Sequence, residues 1–189
     1  EISCSLVGSE MCIRDSTVIA TASGALGAAI GVVTNVITTD HLTGVVVTGT
    51  STDKSSLTGT SVSVDADAKE GISSLLIAAS GAQYAAVSAS VNVNRQLSDV
   101  SAAVDQTEVL GSFAQNANYL GRITTSAITA AGSQYAAVPI SVVINYADNA
   151  VSSSVAHSIL RAEGQSASVG ANRISEFSSL NVTASGAMY

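Results

Sequence analysis

The segment Gln83–Asn94 (QYAAVSASVNVN) returns 51 positions later at Gln134–Asn145 as QYAAVPISVVIN. A chain that restates itself at intervals builds the same local unit each time and stacks the copies, so this repeat limits the fold more than any single residue does. Read in steps of two, the first copy sets Ala85, Val87, Ala89, Val91 and Val93 against Tyr84, Ser88, Ser90, Asn92 and Asn94. The expectation is a strand with the alanines and valines turned to a dry core and the serines and asparagines to water. The second copy keeps the phase, with Ala136, Val138, Ile140, Val142 and Ile144 expected inward and Tyr135, Pro139, Ser141 and Asn145 outward.

Each copy follows a small-residue turn: Ala22-Ser23-Gly24-Ala25, Ala79-Ser80-Gly81-Ala82, Ala130-Ala131-Gly132-Ser133 and Ala184-Ser185-Gly186-Ala187. Their glycines are 57, 51 and 54 residues apart, a drifting period that stacked units absorb between strands. In the first unit Ala28, Ala29 and Ile30 occupy the places of Ala85, Ala86 and Val87, and Val62, Val64, Ala66 and Ala68 alternate with Ser61, Ser63, Asp65 and Asp67 as a strand with its acids in water. Leu75, Ile77 and Ala79 precede the second glycine, and Val100, Ala102 and Val104 form a further short alternation. Ile128 with Ala130, Val151 with Val155, and Leu180 with Val182 are the later counterparts. Each unit thus reads as three or four strands of roughly five to ten residues, with no long amphipathic helix. Pro139 lacks an N–H and so marks a bulge or an edge.

Composition agrees with thin repeating layers. Apolar residues make up 47% of the chain but are mostly Ala and Val, with no Trp and 4% aromatics, too little bulk for one large globular core. The charge-free stretch Thr17–Thr39, with Gly27 and Gly31 in a GxxxG, is long enough for a transmembrane helix, and similar stretches recur at Gly71–Asn94 and Ile123–Ala147. Ser and Asn at every second position would scatter polar groups round such a helix, which argues against it. A membrane β-barrel would carry aromatic girdles that this chain lacks.

Residues 1–16, EISCSLVGSEMCIRDS, share none of the repeat pattern and hold both cysteines. From Ser5 to Ser16 the string resembles the translation of a tagmentation adapter used in DNA sequencing libraries. That resemblance implies that 1–16 is a non-native segment contributing nothing to the fold, and that the repeat array is 17–189, cut at both ends. Cys4 and Cys12 are therefore left out of any redox argument. Setting aside Glu1, Glu10, Arg14 and Asp15 leaves 6 basic and 11 acidic side chains, a balance that excludes nucleic acid as a partner.

Chemistry has few places to sit. Asp65, Asp67 and Glu70 form the densest polar cluster, and carboxylates two apart on a strand share a face, so they are the candidates for holding Ca²⁺ or for acid–base work. Calcium takes about six to eight oxygens, and neither an EF-hand loop nor a glycine–aspartate nonapeptide is present, so the cluster reads first as a solvated face that resists aggregation. His41 and His157 each lack a second ligand at metal spacing. No GxSxG elbow singles out a serine. Asn181-Val182-Thr183 matches a glycosylation sequon, but the register puts Val182 in the core. Tyr84 and Tyr135 share a repeat position and suit either a sugar-binding row or a structural ladder. No catalytic, cofactor-binding or metal-ligating residue is assigned, and no cofactor.

The small-residue turn, the SxVxVN-type strand and the period near 54, carried by Ala79–Asn94, Ala130–Asn145 and less fully by Ala22–Val36 and Leu180–Tyr189, resemble the repeat regions of large secreted filamentous adhesins and leukotoxin-like autotransporter passengers of diderm bacteria. The resemblance implies an all-β solenoid, a right-handed parallel β-helix, exported to the outer cell surface or beyond it. It implies a non-enzymatic structural or adhesive stalk, with host-cell glycans or proteins and flanking repeats of the same chain as partners and no membrane insertion of this segment. A β-helical polysaccharide-active enzyme is the alternative: Asp65, Asp67 and Glu70 gathered with a basic residue in one cleft would favour it, and acids dispersed along a flat face would favour the stalk. A membrane-embedded segment is a further alternative.

Overall fold

The computed structural model describes residues 6–161 and 166–188, with side chains from residue 12 onward. The described chain is all-β, and every paired strand is parallel to its neighbour. Strands β1 (Leu6–Ala25), β3 (Ser55–Ala82) and β5 (Thr107–Ser133) lie side by side in one sheet, called A here, which β7 (Ile159–Arg161) and β8 (Ala167–Ala187) extend along β5. Strands β2 (Ala28–Thr48), β4 (Ala85–Asp105) and β6 (Ala136–Ala156) form sheet B. Successive long strands alternate between the sheets, so each repeat gives one strand to each, and the sheets pack face to face around Val62, Val64, Val100, Val104, Val109 and Phe113.

The repeat sets the register. Ala22, Ala79, Ala130 and Ala184 stand in one row across sheet A, and Ala28, Ala85 and Ala136 in one row across sheet B, as the sequence alignment expects. At one edge the link from sheet A to sheet B is always a two-residue turn: Leu26-Gly27, Gln83-Tyr84 and Gln134-Tyr135. At the other edge the return links differ, running over 49–54, over Gln106 alone, and over 157–158. The three sheet B strands are each 21 residues long. Length variation falls at the return edge, at one bulge, where Gly59 and Thr60 face the single residue Gly111 between the pairs Thr58–Leu110 and Ser61–Ser112, and between β7 and β8, where Arg161 and Ala167 are six positions apart while their partners Leu110 and Phe113 are three apart.

Strand length corrects the sequence reading. Apart from the three-residue β7, the described strands run 20 to 28 residues rather than roughly five to ten, because Gly71 and Gly121 lie inside β3 and β5 without breaking them. Thr17–Thr39, the candidate membrane helix, is the end of β1, a turn and the start of β2; among the described residues no helix is long and apolar enough to cross a membrane. The parallel pairing also differs from the antiparallel strands of an outer-membrane barrel.

The long strands also invert the expected faces of the QYAAV segments. Side chains of one parity share a face along an unbroken strand, and β4 has no bulge against either neighbour. Val100, Ala102 and Val104 point into the core as expected, and Ser88, Ser90, Asn92 and Asn94 have the same parity, so they are fully buried too, at 0% exposure. Val87, Ala89, Val91 and Val93 consequently face outward and are half-buried, and Val138, Ile140, Val142 and Ile144 in β6 are exposed. The same shift of phase occurs in β3: Val62, Val64, Ala66 and Ala68 are buried, with Ser63, Asp65 and Asp67 turned out, but Leu75, Ile77 and Ala79 fall on the outer face. Two apolar half-patterns out of step by one residue cannot both be buried by one strand. The half that is buried is the one that packs with Leu57, Val109, Phe113 and Tyr119 in one cluster, at about 1.5–3 kcal/mol for each large side chain buried.

Much of the losing half's buried polarity is paired internally, although Ser88 Oγ and Asn94 Oδ1 have no hydrogen-bond partner among the described residues. Asn92 donates to Ser74 Oγ across the gap between sheets at 2.7 Å and accepts from Asn35 Nδ2 in the preceding repeat at 3.2 Å. Asn94 donates to Thr125 Oγ1 at 2.9 Å, and Ser90 shares bonds with Thr129 at 2.8 Å and Ser141 at 2.9 Å. Each such bond is worth about 0.5–1.5 kcal/mol net, and leaving a partner unbonded costs more. Pro139 stands opposite Ser88 with no bulge, on a strand that pairs only with β4 among the described residues; of the two expectations for it, the edge is the one realised. Strand β1 begins at Leu6, inside the segment read as adapter-derived, and follows β3 in register; main-chain pairing at a sheet edge does not require particular side chains. Cys12 is exposed, and Cys4 lies outside the described residues.

Candidate interaction surface

Stacking the repeats gathers their charge-free stretches at the turn edge. Outer positions of sheet B there form rows: Ile30, Val87 and Val138; Val32, Ala89 and Ile140; Thr34, Val91 and Val142; Val36, Val93 and Ile144. Eleven of those twelve positions are apolar, and on a wide sheet face this is a patch rather than scattered exposure. Sheet A has a matching outer field, with Ala20, Ile77, Ile128 and Val182 in one row and Val18, Leu75, Ser126 and Leu180 in the next. Val182 is thus exposed beside Ile128, contrary to the core position expected for it, while Asn181 takes the face of the buried Ala127.

The turns join the two fields. Leu26 is 87% exposed, and Met188 and Tyr135 are exposed at the same edge. Tyr84 and Tyr135 stack with ring centroids 5.7 Å apart and planes 10° from parallel, so the shared position makes a ladder. Moving away from the edge, the first charged side chain on the outer face of β4 is Arg95, whose guanidinium lies 5.8 Å from the ring of Tyr146, its register partner.

The sequence-selected acids separate. Asp65 and Asp67 lie on the outer face of sheet A, where Asn116 Nδ2 donates to Asp65 at 2.8 Å and Asn118 Nδ2 to Asp67 at 2.7 Å. Ser63 also donates to Asp65. Glu70 has the opposite parity and is buried, 5% exposed, so the three carboxylates share no cleft. Ser98 donates to Glu70 Oε2 at 2.6 Å and the Tyr119 hydroxyl donates to the same oxygen at 3.4 Å, while among the described residues Oε1 has no hydrogen-bond partner. Burial pushes the Tyr119 phenol well above its ordinary range; the Ser98 hydrogen bond opposes that shift in part, and the Glu70 carboxylate adds to it. A side chain at Gly121, the register partner of Glu70, would meet Tyr119 Oη at 2.5 Å and Gln96 Oε1 at 2.7 Å, so the space beside the carboxylate is already filled.

This polar knot was missed in the sequence because Glu70 reads as the third member of an acidic run; its even parity with Val62–Ala68 was the signal that it turns inward. His41 lies beside Ser98 in sheet B, and His157 Nδ1 contacts Asp105 Oδ1 at 3.0 Å on the return edge, where its φ is 49°. Among the described residues no group of His, Cys, Asp and Glu is arranged to hold a metal ion. Comparison with known protein families, with curated proteins and with solved structures finds no match to this chain.

Proposed function

We propose that this chain is a segment of a right-handed parallel β-solenoid with coils of about 54 residues, and that it serves as a structural or adhesive stalk of a secreted or cell-surface filamentous adhesin in a diderm bacterium. The observation that carries this reading is the row of turn glycines Gly24, Gly81, Gly132 and Gly186, which stand side by side although the chain between them varies in length. Units held in line this way add length without adding a catalytic centre. Asp65 and Asp67 lie along a flat face, bonded to asparagines of the next repeat, and Glu70 is walled in; both arrangements favour a rod over a polysaccharide-cleaving groove. The open edges of sheets A and B are suited to further coils of the same kind, and the outer faces to host glycans or proteins.

Beads coated with the chain should bind cultured epithelial cells saturably, with competition from the free chain. Release of reducing ends from acidic or neutral polysaccharides would instead establish the enzyme reading, and absence of saturable cell binding would remove the adhesive one.

A further inference from the structure

We infer that the charge-free turn edge of this protein enters the hydrocarbon of a lipid layer, to the depth of about one leaflet. From the sequence, Ser88, Ser90, Asn92 and Asn94 are expected on the outer, water-facing side of their strand, where they would oppose lipid contact. In the structure they face the space between the sheets, where Asn92 is hydrogen-bonded to Ser74 and Asn94 to Thr125. Lipid around this edge would meet outer rows that are apolar apart from Thr34 and Ser126, with the exposed amides of Gln83 and Gln134 in the turns, and the backbone of the middle strands is already paired within the sheets. The outer apolar run from Ala85 to Val93 is about 26 Å long, and that from Leu75 to Gly81 about 20 Å, at about 3.3 Å per residue. Half of a hydrocarbon core of about 30 Å is covered by either.

The occupant follows from the shape of the surface. The apolar fields lie on both outer faces and continue round the edge through Leu26 and Tyr135, whereas a second copy packed against one sheet would leave the other face and the edge in water. A fluid surrounding all three at once is what covers them. The formal charge of −7 resides outside the charge-free stretches, so the attraction is apolar and needs no anionic headgroup. This inference does not depend on the adhesin reading: it concerns one edge, whatever protein carries it.

The chain has no tryptophan, so Leu26→Trp gives an edge reporter and Asp53→Trp a control on the return edge. With phosphatidylcholine vesicles, the edge reporter should shift to the blue and be quenched by lipids brominated along their acyl chains, with the control unchanged. Val32→Asp combined with Ile140→Asp, at positions 54% and 48% exposed, should weaken partitioning into vesicles by about tenfold or more, because each carboxylate would have to enter hydrocarbon. Circular dichroism of the double variant checks that it keeps its strands, and quenching of the edge reporter in the otherwise unaltered chain stands independently of it. No quenching at Leu26→Trp would overturn the inference. So would a blue shift that needs no lipid and grows with protein concentration alongside dimer formation in sedimentation, which would assign the face to a second copy.

Discussion

Asn94 donates its side-chain amide to Oδ1 of Asn145, the residue 51 positions later that stands beside it in sheet B, at 2.9 Å. The pair faces the space between the sheets, where Thr125 also donates to Asn145 at 3.0 Å. An asparagine shared by two successive repeats thus cross-links them through side chains as well as through the backbone, and the polar interior has energetic consequences that differ from those of an ordinary strand face.

Substitutions in neighbouring residues of β4 should separate sharply. Asn92→Asp removes the donor to Ser74 and buries a carboxylate without a cation, and should cost about 2–4 kcal/mol. Val91→Asp puts its charge on the outer face and should cost less than about 1 kcal/mol. Paired urea melts distinguish the two, and the reverse order would restore the faces expected from sequence.

The bulge imposes its own requirement. Gly111 has φ 120°, and a side chain there would strike the carbonyl of Gly59. Gly111→Ala should therefore cost about 3 kcal/mol, whereas Gly132→Ala, with nothing within 4 Å of the added methyl, should be close to neutral. Thermal melts of the two variants should differ by many degrees; equal melting temperatures would refute the bulge geometry.

Alkaline stability should depend on Tyr119. Its folded pKa is raised above the unfolded value near 10, so its contribution is complete below about pH 10 and is lost as pH rises, because the unfolded chain releases the proton while the buried phenol holds it. Denaturant midpoints should fall above about pH 10, and more gently in Tyr119→Phe. A variant with the same alkaline slope as the parent would show that Tyr119 is not the group responsible.

The ion pair between Arg122 and Glu176, 2.6 Å apart, also links successive repeats in sheet A, but both side chains are largely in water. Arg122→Ala should change stability by less than about 1 kcal/mol, and that difference should shrink in high salt. A loss of several kcal/mol in urea melts would mean that the pair is screened far less than its exposure implies.

The sequence made the strand class and the register of the repeats legible, because the Gly turns and the QYAAV copies align in space as they align in writing. The inward direction of Val62–Ala68 and of Val100–Val104 was legible too. The face of Val87–Val93 was not: alternation states which residues share a side, and only the continuity of β4 states which side that is. Strands β3 and β5 are likewise continuous, through Gly71 and Gly121. For the same reason Glu70 was grouped with Asp65 and Asp67 rather than with Ser98 and Tyr119. The apolar outer field required both sheets to be laid side by side, since each charge-free stretch alone is equally consistent with a core strand.

The contrast between the fixed two-residue turns and the varied return links has a practical meaning. Six residues span the first return, from 49 to 54, and one spans the second, at Gln106, yet the line of turns stays straight. One margin of the molecule is thus kept to gauge while the other takes up slack. A foreign epitope or a fluorophore-bearing peptide spliced between Thr50 and Asp53 should therefore be carried as a passenger, without displacing any rung at the opposite margin.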